Sequence, residues 1–137
     1  MKIAALFVVL LGGCLLAQQN TKVNKVPVKP VPAESGKDMF RAYCASCHGI
    51  DGKGNGPAAP ALKSQPTDLT QLAHKNGGKY PSLAVVNALR DGANTSHGSE
   101  DMPVWGPILR SVSPNGAPVV HQRISNLSDY VASLQAK

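Results

Sequence analysis

The chain is expected to fold as an all-α domain, with short helices joined by glycine- and proline-rich loops. Near the C-terminus, Ile124, Leu127, Val131 and Leu134 recur at helical spacing. Glycine and proline contribute 13 and 11 of the 137 residues, which leaves much loop and little extended structure. Aromatic residues make up only 4%, few for a self-sufficient core in one domain of this length. Something other than aromatic side chains should fill the middle.

Residues 1–17, MKIAALFVVLLGGCLLA, stand outside that domain. Lys2 precedes an apolar run from Ile3 to Leu11, followed by Gly12 and Gly13. This is the shape of a secretory signal peptide, and the run is too short for a spanning helix. Cleavage after Ala17 is one route. The other is cleavage before Cys14, because Leu11-Gly12-Gly13-Cys14 resembles the lipobox of bacterial lipoproteins, where the cysteine becomes the acylated first residue. The lipobox match tips the expectation towards lipidation, while the uninterrupted Cys14-Leu15-Leu16-Ala17 argues the other way. On both routes Cys14 is no free thiol in the mature protein. The product is exported, to the bacterial periplasm or the outer face of a membrane.

Residues 18–35, QQNTKVNKVPVKPVPAES, read as a Pro/Lys-rich linker. Pro27, Pro30 and Pro32 prevent a helix, and the segment should be extended and partly polyproline-like, with a reach of roughly 55 Å. With a lipid on Cys14 it would tether a domain that swings between partners. The net charge of +6 overstates the basic character of that domain. Residues 36–137 carry ten basic and seven acidic side chains, with no basic cluster interleaved with aromatics. Nucleic-acid binding is therefore excluded.

Ser35 is placed to cap a helix running from Lys37 to Tyr43, with Asp38 in its first turn. That helix delivers Cys44 and Cys47, three apart and so on one face about one turn from each other, with His48 next. A thioredoxin-like dithiol would need a βαβ context, and nothing upstream reads as a strand. A structural zinc site needs four ligands, whereas His74, His97 and His121 are scattered singly. Cys-x-x-Cys-His is the covalent attachment signature of one c-type haem, each cysteine forming a thioether and His48 standing as the proximal iron ligand. The porphyrin also accounts for the shortage of aromatic side chains.

From about Gly36 to Gln135 the chain resembles a class I cytochrome c, a single-haem, all-helical domain. The stretches that carry the resemblance are GKDMFRAYCASCHG, GKGNGP, DMPVWG and ISNLSDYVASLQ, in the family's order. The resemblance implies that GIDGKGNGPAAPAL wraps the haem edge, its glycines allowing close approach to a flat ligand. It also implies that a proline carbonyl accepts the hydrogen bond from the second ring nitrogen of His48. Pro57 is the expected donor of that carbonyl and Pro60 its rival. Met102, 54 residues after His48 in an Asp-Met-Pro-x-Trp-Gly context, is the implied distal ligand, with His97, His121 or a vacant position as alternatives. Trp105 is expected at the haem edge. Gly36, Phe40 and Tyr130 suit the crossing of the first and last helices.

Two further helices are expected, Asp68 to Lys75 and Ser82 to Arg90, the latter ending at Gly92. Leu69, Leu72, Leu83, Val86 and Leu89 should be buried, and His74 should face solvent. The stretch VSPNGAPVV, 112–120, departs from the compact family pattern as an insertion, with a small turn or hairpin at Asn115-Gly116. His121 would then open the last helix. With both axial positions of the iron filled, the expected function is electron transfer between redox proteins by a monomeric domain, not enzymatic catalysis. The alternatives are a haem subunit docked permanently on a dehydrogenase or oxidase, and a haem enzyme or sensor with an open distal side.

Overall fold

The structure is a computed structural model that describes residues 26–93 and 101–136. The signal region with Cys14, the first part of the linker and His97 lie outside the described residues.

Ser35 opens the first helix as expected. Its hydroxyl accepts the Asp38 N–H at 3.1 Å and donates to the Asp38 carboxylate at 2.6 Å. The helix is not uniform, however. It runs as α1 (Gly36–Met39), a π-helical turn (Phe40–Cys44) and α2 (Ala45–His48). The Ala45 N–H reaches back five residues to the Phe40 carbonyl, and the widened turn buries both of its aromatics, Phe40 and Tyr43.

Two 3₁₀ turns follow, Ala59–Ala61 and Leu69–Gln71. The second leads into α3 (Leu72–Lys75), so the helix expected from Asp68 is present with Asp68 as its cap. Next come α4 (Ser82–Asp91), α5 (Trp105–Ser111) and α6 (Ala117–Ser133). α5 was not among the expected helices. Pro107, its third residue, disguises it in the sequence, although the N–H that proline lacks has no intrahelical partner at that position.

α6 buries Val120, Ile124, Leu127 and Val131, one stripe at steps of three and four, against α1, α4 and α5. Met39, Phe40, Tyr43, Leu89, Trp105 and Leu109 complete the core. Where α1 meets α6, a Cβ on Gly36 would overlap the Asn126 carbonyl oxygen and come within 3.1 Å of the Tyr130 Cβ. The Phe40 and Tyr130 rings lie beside it, with centroids 5.2 Å apart. All three residues take the places expected of them.

Three expectations are corrected. Leu83 is 72% exposed, because α4 turns Val85, Val86 and Leu89 to the core and Leu83 falls about 110° from the centre of that stripe. Leu69, Leu72 and Val86 are half-buried, and only Leu89 of the named set is fully buried. At 112–120 the small turn forms and not the hairpin, and it is the start of the last helix that differs from expectation. Gly116 donates to the Ser113 carbonyl at 3.1 Å, and α6 starts at Ala117 with Pro118 in its first turn, four residues before His121.

The end of the linker is docked rather than free. Val28 and Val31 pack on the core. Tyr43 Oη donates to the Lys29 carbonyl at 2.8 Å, Arg123 Nη1 to that of Val31, and Asn126 Nδ2 to that of Ala33 at 2.8 Å. Three backbone carbonyls of this strap thus each meet a side-chain donor of the helical domain.

Candidate haem-binding site

The last turn of a helix leaves four carbonyls without intrahelical partners. In α2 these belong to Ala45, Ser46, Cys47 and His48, and the glycine-rich loop closes every one. Gly49 N–H reaches Ala45 at 2.9 Å, Ala58 N–H reaches Ser46 at 2.8 Å, Gly56 N–H reaches Cys47 at 3.0 Å, and Gly54 N–H reaches His48 at 2.7 Å. A Cβ on Gly56 would overlap the Ser46 carbonyl and lie 2.6 Å from that of Ala45. Glycine at that position therefore serves the approach of the loop to α2, where the sequence suggested approach to a flat ligand.

His48 Nδ1 lies 3.0 Å from the carbonyl oxygen of Thr67. A carbonyl only accepts, so Nδ1 carries the proton and Nε2 keeps its lone pair, the tautomer an iron ligand requires. Burial pulls the His48 pKa below its ordinary value, and the Thr67 bond partly restores it. The neutral ring is favoured.

The partner of His48 is thus neither Pro57 nor Pro60. The bonds from Gly56 and Ala58 hold Pro57 beside the end of α2, where it lines a hollow with Arg41, Ser46 and Asn55. Pro60 lies within the first 3₁₀ turn. The chain returns to the imidazole only at Thr67, one residue before the Asp68 cap.

Cys44 and Cys47 are both free and half-buried. Burial, with the neighbouring Cys47 thiol adding to it, pushes the Cys44 thiol up to about 12. A thiol held protonated is a poor redox nucleophile. Among the described residues no three His, Cys, Asp or Glu side chains converge to hold a metal ion. A haem asks less of the chain, because the porphyrin brings four nitrogens and the protein supplies thioethers and axial donors. This donor set fits a haem.

Met102 is half-buried and packs on the same core cluster as Cys44. Beside it, the Asp101 carboxylate accepts the Lys63 N–H at 2.9 Å. Trp105 is buried and stacks on Tyr43, the residue before Cys44, with ring centroids 5.4 Å apart and planes 26° apart. His74 is exposed, as expected. His121 is exposed on a cleft of about 530 Å³ between α4, α5 and α6, which none of Cys44, Cys47, His48 and Met102 lines.

Thr67, Tyr43, Asp101 and Arg123 escaped the sequence reading.

Residues 33–135 match the family described as cytochrome c. The chain is 30% identical over 105 residues to cytochrome c-554(547) of Halothiobacillus neapolitanus, covering 75% of this chain and 97% of that protein. It is 33% identical over 109 residues to cytochrome c-551 of Stutzerimonas stutzeri, covering 79% and 85% respectively. No helix among the described residues is long and apolar enough to cross a membrane. The Cys-x-x-Cys-His helix, the ligand-ready imidazole and the family match lead to one conclusion: the chain belongs to the cytochrome c family, an all-α domain for covalently bound haem and electron transfer.

Proposed function

We propose that this protein is a single-haem electron carrier with His48 and Met102 as axial ligands, working between redox proteins outside the cytoplasm. The observation that carries the reading is the His48 Nδ1 contact to the Thr67 carbonyl at 3.0 Å, in the residue directly after Cys47. Bound haem supplies an iron that gains and loses one electron.

The chain's own residues do the rest. Cys44 and Cys47 hold the macrocycle through thioethers. His48 presents Nε2, its ring orientation set by Thr67. Met102 offers a soft neutral sulfur, which favours the reduced iron and raises the potential relative to a second imidazole. With His48 and Met102 both bound to the iron no coordination site would remain open for a substrate, as a carrier requires. With a lipid on Cys14 the protein is anchored, and the docking of Val28 and Val31 confines the tether to the residues before Val28; with cleavage after Ala17 it is simply secreted.

The test is a ferric spectrum of the mature protein. A weak far-red charge-transfer band from methionine sulfur on iron is expected. Met102→Ala should abolish it, lower the potential and admit small ligands, while His97→Ala should leave it in place. If His97→Ala destroys the low-spin spectrum and Met102→Ala does not, the distal ligand is histidine and the carrier is a low-potential one. In addition, the denatured protein should retain one haem by mass. Loss of all haem to acid–organic extraction would refute covalent attachment.

A further inference from the structure

Met102 sits between two ties to the framework that carries Cys44, Cys47 and His48. On one side Asp101 Oδ2 accepts the Lys63 N–H at 2.9 Å, across a sequence separation of 38. Lys63 closely follows the Ala59–Ala61 turn, which the Ala58 N–H pins to the Ser46 carbonyl of α2. On the other side, Trp105 stacks on Tyr43 with centroids 5.4 Å apart. Tyr43 directly precedes Cys44, and its hydroxyl is held on the Lys29 carbonyl at 2.8 Å. Asp101 adjoins Met102, and only Pro103 and Val104 separate Met102 from Trp105.

From this geometry we infer that Asp101 and Trp105 are positioning residues, a two-point clamp that keeps Met102 at the haem. The inference rests on the distal role proposed for Met102. Neither residue is proposed as an iron ligand. Each instead links the Met102 segment to the cysteine-bearing framework, one by a charge-assisted hydrogen bond and one by ring stacking. While both ties hold, the segment stays closed, and an external ligand must wait for the open fraction. Its apparent affinity is reduced by that fraction.

The experiment uses the full haem-loaded chain in its ferric form, titrated with imidazole at fixed pH and followed by loss of the methionine–iron band. Asp101→Ala and Trp105→Leu should each bind imidazole about tenfold more tightly than wild type. Asp101→Asn retains an acceptor oxygen and Trp105→Phe retains a ring, so both should stay within about threefold of wild type. Hydrogen exchange gives a readout independent of the iron, since the Lys63 amide should lose protection in Asp101→Ala and keep it in Asp101→Asn. If Trp105→Leu fails to fold, the Asp101 pair alone decides. The clamp is overturned if Asp101→Ala leaves imidazole affinity and Lys63 exchange unchanged while the band is present. A wild-type protein without the band overturns the Met102 assignment and the clamp with it, a result separable from failure of the clamp alone.

Discussion

The buried guanidinium of Arg123 donates to the backbone carbonyl of Val31, across a sequence separation of 92. Its Nε also donates to Ser113 Oγ at 3.0 Å, and Nη1 lies 3.5 Å from Met39 Sδ. One side chain of α6 thus joins the strap, the first helix and the turn before α6. Among the described residues these acceptors are all uncharged, so the buried cation is satisfied by dipoles.

Arg123→Ala should therefore destabilise the haem-loaded protein by about 2–4 kcal/mol, through unmade buried hydrogen bonds and the space left behind. Denaturant unfolding measures this. Arg123→Lys keeps the charge but loses the fork, and should fall between the two. A loss under about 0.5 kcal/mol for Arg123→Ala would show that the strap is not held by this residue.

Gly36→Ala should be destabilising although alanine is the better helix former. Its methyl group would overlap the Asn126 carbonyl, forcing α1 away from α6 at a cost of about 1–3 kcal/mol. Thermal unfolding of the variant should show the lower midpoint. The Phe40–Tyr130 ring contact, now 5.2 Å between centroids, should loosen with it.

Tyr80 ties the entry of α4 to α6, its hydroxyl donating to the Ser128 carbonyl at 2.9 Å. Burial raises its pKa above the usual tyrosine value, the contact with the Ser128 side-chain hydroxyl at 3.3 Å opposes that rise, and the Asp129 carboxylate adds to it. The unfolded phenol ionises first, so this stabilisation is fully present below pH ~10 and is lost as pH rises through the folded pKa. Tyr80→Phe should cost about 1 kcal/mol at neutral pH and flatten the alkaline side of the stability profile. Chemical unfolding at pH 7 and on the alkaline side checks both halves.

Cys14→Ser should release the protein from membranes into the soluble fraction if that cysteine carries the lipid. Fractionation and the mature N-terminus decide it. A wild-type protein that is already soluble, with its N-terminus at Gln18, marks a simple secretory signal. Stable retention implies more than one acyl chain, because a single chain anchors only marginally.

The attachment chemistry was legible because it is local. Cys44, Cys47 and His48 lie within five residues, and thioether formation needs that spacing whatever surrounds it. The Ser35 cap and the α6 stripe were legible for the same reason, as interactions between residues at most a few turns apart. The Met102 segment was marked by residue types, though its ties were not. What packing alone decided has a common character. Thr67 reaches His48 through a backbone carbonyl across 19 positions, and a carbonyl is carried by every residue, so no side chain announces it. The docking of the strap on Tyr43, Arg123 and Asn126 also uses backbone carbonyls, and a proline-spaced sequence looks the same whether solvated or docked. Trp105 met Tyr43 because α5 formed across Gly106 and Pro107, residues of low helix propensity. Each of these contacts depends on chain closure over tens of residues, which short-range propensity does not encode but burial of the shared core rewards.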